Sequence, residues 1–301
     1  MTVCVAAFSN TGMIIGATDR MLSNTEVAYE PDSRKVWTFT TAISALWSGD
    51  PGILSEVFRA VQLDVQALLA QDPPPNWFTV KEMVDLYVAH WTGTKRERAT
   101  AAYLAPLGMS MEGFIEKHRS LEPGVADKLT TAVVNYALPY TSCIIAGIDH
   151  TGAHIWVVTD GVPTCHDAAG FAVIGAGARH ADSQMVSGKH SPAKSPSETL
   201  VLVHMAKRRA EVTPSVGTAT DIVLIGPTLG QHGPLPDYHL AKLDADFAAL
   251  QVAESAAFTS AVAEFEAFLA SRNDQPEGPQ VPDDDEIDDW GESEEPDVNG
   301  A

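Results

Sequence analysis

A chain of 301 residues with 45% hydrophobic content is long enough to bury a full two-sheet core, near the upper size at which one core serves. Its formal net charge of −21 weighs against nucleic acid or an anionic membrane as a partner, and no apolar window of about 20 residues is present to cross a bilayer. Three scattered cysteines without a CxxC pair, Cys4, Cys143 and Cys165, indicate neither a disulfide framework nor a zinc site; with no signal peptide ahead of the first apolar run, the expected compartment is the reducing cytoplasm.

In chain order, Thr2–Phe8 and Met13–Asp19 are two β-rich runs around Ser9-Asn10-Thr11-Gly12 and read as a hairpin, with Cys4 pointing into the core. Lys35–Phe39 and Ala42–Trp47 read as a second hairpin, with Gly49 at its exit. Asp50-Pro51 then starts a helix to Ala70, whose Leu54, Val57, Phe58, Val61, Val65 and Leu68 recur at helical spacing. Pro73-Pro74-Pro75 ends it, a second helix begins over Val80–Trp91, and residues 94–138 read as a helical insertion. Strands are expected at Thr141–Asp149, His154–Asp160, Ala169–Ile174 and Asp221–Ile225. Helices are expected at Ala178–Val186, Ser197–Glu211 and Leu243–Ser271, the last with a stripe of Phe247, Leu250, Phe258, Val262, Phe265 and Leu269. This order fits an α+β fold of two antiparallel sheets between helix layers, one domain over 1–273. Residues 274–301 carry 12 acidic residues and no Lys or Arg, so the net charge without them is −9; the stretch reads as a disordered, solubilising tail or a docking segment anchored by Trp290.

The first fifty residues carry the chemistry. Trimming of Met1 is compatible with the small residue behind it, and would leave Thr2 with a nucleophilic hydroxyl and its own α-amine as base. Such an amine titrates at roughly 7.7–8.0, close to working pH. Lys35 would favour the neutral amine and ease ionisation of the hydroxyl, Asp19 would hold Lys35, and the Gly49 N–H would receive an oxyanion. The two hairpins are placed to bring these positions together, and Trp47, two residues before Gly49 on one strand, is expected to share its face and favour small side chains in the pocket.

On Thr2, Asp19, Lys35 and Gly49 in this order, the segment 1–50 resembles the start of a proteasome β-subunit, and its Met-Thr-x-Cys opening is similar to that of the bacterial proteasome-like Anbu peptidases. The resemblance resumes at Gly147–Gly152 and runs through Asp160-Gly161 to Phe171–Gly177, about two thirds of the chain. It implies the four-layer αββα sandwich of the N-terminal-nucleophile (Ntn) hydrolases, a threonine-type endopeptidase with peptide or unfolded protein as substrate, assembly into a homo-oligomeric ring or stack, a possible unfoldase partner, and no cofactor or metal. Ser215 stands in for a supporting serine of the family, whereas the aspartate before it has no clean match, with Glu211 in that region. The family's serine between Gly175 and Gly177 is Ala176 here, and Arg20 directly follows Asp19 where the family's arginine stands two residues on. Two other roles share the residues: an inactive scaffold subunit, which Ala176 and the missing aspartate favour, and a small-molecule amidase.

Rival motifs are weaker. Gly175-x-Gly177 leads to His180 where a dinucleotide fingerprint needs Gly or Ala, and a hairpin rather than a βαβ unit precedes it. Asp149, His150 and His154 sit in a hairpin turn rather than at metal-ligand spacing. Cys165-His166-Asp167 would alternate faces on a strand, which separates the three side chains.

Overall fold

The computed structural model describes residues 2–23, 28–72 and 77–273. The Pro73-Pro74-Pro75 break, the acidic stretch 274–301 with Trp290, and Met1 lie outside them. In chain order the elements are β1 (Val3–Phe8), β2 (Ile14–Asp19), β3 (Leu22–Ser23), β4 (Ala28–Tyr29), β5 (Val36–Thr40), β6 (Ile43–Gly49), α1 (Pro51–Leu69) and α2 (Val80–Ala99). Then come α3 (Met111–Lys117), α4 (Pro123–Val134), β7 (Thr141–Asp149), β8 (Gly152–Thr159), β9 (Val162–Cys165), β10 (Phe171–Gly175), α5 (Ala178–Ser187), α6 (Pro196–Ala210), β11 (Thr220–Ile225), β12 (His232–Pro234) and α7 (Asp237–Asn273).

The architecture is α+β, with two antiparallel five-stranded sheets ordered β10-β1-β2-β11-β12 and β5-β6-β7-β8-β9. Alternation along β1 distributes its side chains between two cores. Cys4, Ala6 and Phe8 meet Leu46, Ile144, Ala146 and Ile155 in the apolar layer between the sheets. Val3, Val5 and Ala7 point the other way, onto Ala181 and Met185 of α5 and Leu202, Val203 and Ala206 of α6. On the second sheet, Ala45, Cys143 and Ile145 pack under Leu54, Val57, Phe58 and Val61 of α1 and Met83, Val84 and Tyr87 of α2. Strands covered on both faces read as continuous apolar runs, which is why Val3–Phe8 is buried at every residue.

Helix starts follow local chemistry. The Asp50 side chain accepts from the Ile53 N–H with Pro51 at the first helical position, and Thr79/Glu82 and Ser195/Glu198 form reciprocal capping boxes. The second helix runs through residue 94 to Ala99 and passes into a π-turn at Thr100–Leu104, so the expected insertion has no break at its start. Four short strands, β3, β4, β9 and β12, were not foreseen: β3 and β4 are two residues each, β9 is exposed throughout, and His232–Pro234 lacks an apolar run. The chain divides into two units at Ala245, within α7, and α7 is solvent-exposed along residues 251–272. Among the described residues no helix is long and apolar enough to cross a membrane.

Candidate active site

Pairing Cys4 with Thr18 in β1–β2 sets Thr2 and Val3 beside the end of β2, so that Asp19 Oδ1 accepts the Val3 N–H at 3.2 Å. Lys35 immediately precedes β5, and its carbonyl takes the Trp47 N–H of β6 at 3.2 Å. The Lys35 ammonium therefore enters from the neighbouring sheet. It donates to Thr2 Oγ1, to Asp19 Oδ1 at 3.0 Å and to the Met21 carbonyl, which uses all three of its protons. Thr2, Asp19 and Lys35 are 1%, 0% and 2% exposed. A cation and an anion this deep persist only when paired and hydrogen-bonded. Asp19 meets that condition with further bonds from the Met21 N–H at 3.1 Å and the Gly217 N–H at 2.9 Å.

Because Lys35 is the donor to Thr2 Oγ1, that bond leaves the hydroxyl's own hydrogen unused. Thr2's main chain is held as tightly. Its carbonyl accepts the Gly177 N–H at 3.3 Å, and Gly175, at φ +96°, packs so closely that a Cβ there would stand 2.2 Å from the Thr2 oxygen.

Gly49 pairs with Thr141 across β6–β7, and the neighbouring Asp50 N–H to Tyr140 carbonyl bond of 2.9 Å marks Gly49 as the non-hydrogen-bonded partner of that ladder. Its N–H accordingly points away from β7, to the side on which the Trp47 N–H meets Lys35. With φ +110° and a would-be Cβ 2.2 Å from the Tyr140 oxygen, the position admits only glycine. Thr2, Lys35, Trp47, Gly49 and Ala176 together line a cleft of about 700 Å³, whose other walls are largely apolar: Met21, Leu22, Tyr29, Pro139 and Tyr140. The expected Trp47–Gly49 face is thus the floor of a cleft. Cys4 lies beneath it, donating its S–H to the Trp47 carbonyl at 3.2 Å, and burial pushes this thiol well above its ordinary range.

Of the expected site residues, Thr2, Asp19, Lys35 and Gly49 converge. Ser215 does not: it is half-buried in the turn after α6 and does not line the cleft. That turn reaches the site through the Gly217 N–H instead. Glu211 pairs with Lys207 at 2.5 Å and with Arg208 at 3.1 Å, and Arg20 makes a bidentate pair with Asp221 at 2.8 Å.

Lys207 is the supporting residue that sequence reasoning missed. It is 0% exposed, and its ammonium ties Glu211 to the carbonyls of Gly217 and Thr218 at 3.0 and 2.9 Å. Burial lowers its pKa, partly offset by Glu211. The one signal available was Lys207 and Glu211 at i, i+4 on the end of a helix.

Away from the cleft, the Asp149–His154 turn is a clasp. Thr151 bridges Asp149 Oδ1 at 2.6 Å and His154 Nε2 at 2.7 Å, and His154 Nδ1 lies 2.7 Å from Asp167 Oδ2. Burial pushes the Asp149 carboxyl up, but the bonds from Thr151 and the Val80 N–H outweigh it and hold the group below its ordinary value. Asp167 also caps the Ile155 N–H at 2.8 Å and sits outside β9, so the Cys165-His166-Asp167 run is not one strand. No protein-family model matches the chain, and no curated protein does so either.

Proposed function

We propose that the chain is an Ntn hydrolase of the threonine-peptidase kind, built on the four-layer αββα sandwich and acting on peptide bonds. The observation that carries this reading is the buried Lys35 ammonium donating at once to Thr2 Oγ1 and Asp19 at the wall of an open cleft. A lysine in a solvated structural ion pair has no reason to spend a proton on a threonine hydroxyl beside the chain's start. Once Met1 is removed, the α-amine of Thr2 takes the hydroxyl proton as Oγ1 bonds to the carbonyl carbon of the substrate. The carbonyl oxygen becomes an oxyanion that the Gly49 N–H receives. The C–N bond then breaks, with the proton passing from the α-ammonium to the departing amine, and an ester to Thr2 remains. Water, deprotonated by the same amine, attacks the ester and restores the hydroxyl. Lys35 keeps positive charge next to the developing alkoxide throughout, and Asp19 keeps Lys35 in place.

Self-assembly into a homo-oligomer and a cytoplasmic setting belong to the same reading. Ala176 in the cleft favours a second one, a scaffold subunit without turnover, because it offers no hydroxyl to orient the amine.

Intact mass before and after a peptide epoxyketone, a reagent that needs both the free amine and the hydroxyl of a terminal threonine, separates the two. The hydrolase gives loss of Met1 and one adduct, absent in Thr2→Ala. Retained Met1 with no adduct leaves only the scaffold.

A further inference from the structure

The segment 246–273 of α7 has the composition of an interior helix and the exposure of a surface one. It holds nine alanines and only five charged residues, Asp246, Glu254, Glu264, Glu266 and Arg272, yet every residue from 251 to 272 is exposed. A helix this apolar around its circumference is normally covered. Phe258, Val262, Phe265 and Leu269 are spaced 4, 3 and 4 residues apart, the alternation of a coiled-coil seam, and are 72%, 39%, 67% and 57% exposed. Phe268 flanks the seam at 53% exposed. The three phenylalanines alone offer roughly 400 Å², about half of the ~800 Å² that each side of a stable interface contributes, before the aliphatic and alanine positions between them are counted.

We propose that residues 251–272 of α7 pack against the same segment of a second copy of this chain, antiparallel, about a twofold axis between Ala263 and Glu264. The pattern is self-complementary in this direction. Phe258 faces Leu269 of the second copy and Val262 faces its Phe265, so each ring meets an aliphatic side chain, and the same layers recur on the other side of the axis as an isologous contact requires. Arg272 decides against the parallel arrangement. It occupies the seam position after Leu269, where a parallel pair would oppose two guanidinium groups; the antiparallel pair sets it against Ser255. Glu264 and Glu266 fall outside the seam and keep the outer faces wet and acidic.

The pairing rests on α7 alone and not on the hydrolase reading, so the two fail independently. Light scattering of the full chain after size exclusion tests it first: the double variant Phe258→Glu/Phe265→Glu, at exposed positions, halves the mass of whatever assembly the wild type forms and leaves the epoxyketone result unchanged. Direction is read by pulsed electron-spin distances between nitroxides at Arg272→Cys in a Cys165→Ser background. The antiparallel pair separates the two labelled backbones by about 26 Å, from 1.5 Å per residue across the axis, whereas a parallel pair holds them about 10 Å apart. A monomeric wild type, a mass untouched by the double variant, or the short distance each overturns the proposal.

Discussion

At the scale of single residues, the site is an accounting of buried charge. Asp19 accepts four hydrogen bonds and Lys35 donates three, and both side chains are buried. Removing the cation strands the anion. Lys35→Met is therefore expected to cost about 3–5 kcal/mol in urea unfolding as well as epoxyketone adduct formation; a variant as stable as the wild type would mean that the pair is not closed as described. Gly49 predicts a different balance. Gly49→Ala drives a Cβ into the Tyr140 carbonyl at 2.2 Å and imposes φ +110° on a residue that resists it. The strain costs about 1–3 kcal/mol, and, on the proposed mechanism, displacement of the Gly49 N–H lowers kcat on a fluorogenic peptide by on the order of 100-fold or more with KM little changed. A proportionate rise in KM instead would make Gly49 a binding residue only.

At the scale of elements, the support of the site comes from the far end of the sequence. The turn between α6 and β11 carries the Gly217 N–H to Asp19, and Lys207 holds that turn by two of its carbonyls. Lys207→Met leaves those carbonyls and Glu211 without their cation. It is expected to lower stability by about 3 kcal/mol or more and to slow adduct formation through a loosened Asp19, although Lys207 does not line the cleft; full stability and full rate in the variant would remove the turn from the machinery. Such relations explain what was legible in the sequence. Hairpins announce themselves through adjacent apolar runs, so the convergence of Thr2, Asp19, Lys35 and Gly49, residues singled out by their chemistry and by the resemblance, was legible, as was the α1 stripe with its Asp50-Pro51 start. Gly217 contributes a backbone N–H across a separation of 198 residues and leaves no local pattern, and Lys207, which holds its turn, leaves only the i, i+4 pairing with Glu211. Ser215 was expected two positions from where the turn makes contact, because residue type was weighed and backbone donors carry none. The division of α7 at Ala245 was likewise hidden: its stripe is continuous through Leu243, Phe247 and Leu250 into Phe258 and Leu269, and nothing in that periodicity says where the core beneath it stops.

At the scale of the whole molecule, the groups that bear on stability in mild acid are half-buried histidines whose pKa burial lowers. His190 is wedged between α5 and the start of β10, edge-on to the Phe171 ring with 5.5 Å between centroids. Its Nε2–H donates to the Gly170 carbonyl at 3.2 Å, and its Nδ1 is buried with no hydrogen-bond partner among the described residues. Burial lowers its pKa from the ordinary 6.5, the Gly170 bond opposes this, and the Lys194 charge adds to it. His232, whose Nε2 is 3.0 Å from Ser44 Oγ, is lowered by burial as well. A lowered folded-state pKa means that below 6.5 the unfolded chain binds protons that the folded chain refuses, so the slope of stability against pH is positive in that range. Asp149, whose carboxyl is held below its ordinary 3.8, contributes the same sign only in stronger acid. Urea midpoints should accordingly fall between pH 7.5 and pH 5.5, well before carboxylates are titrated. His190→Gln keeps a donor toward Gly170 and removes the titration, so its midpoint should fall less over the same interval than that of the wild type. An equal fall in both proteins would move the acid sensitivity from His190 to the other enclosed histidines, and a wild-type midpoint that rises on acidification would contradict the neutral burial of all of them.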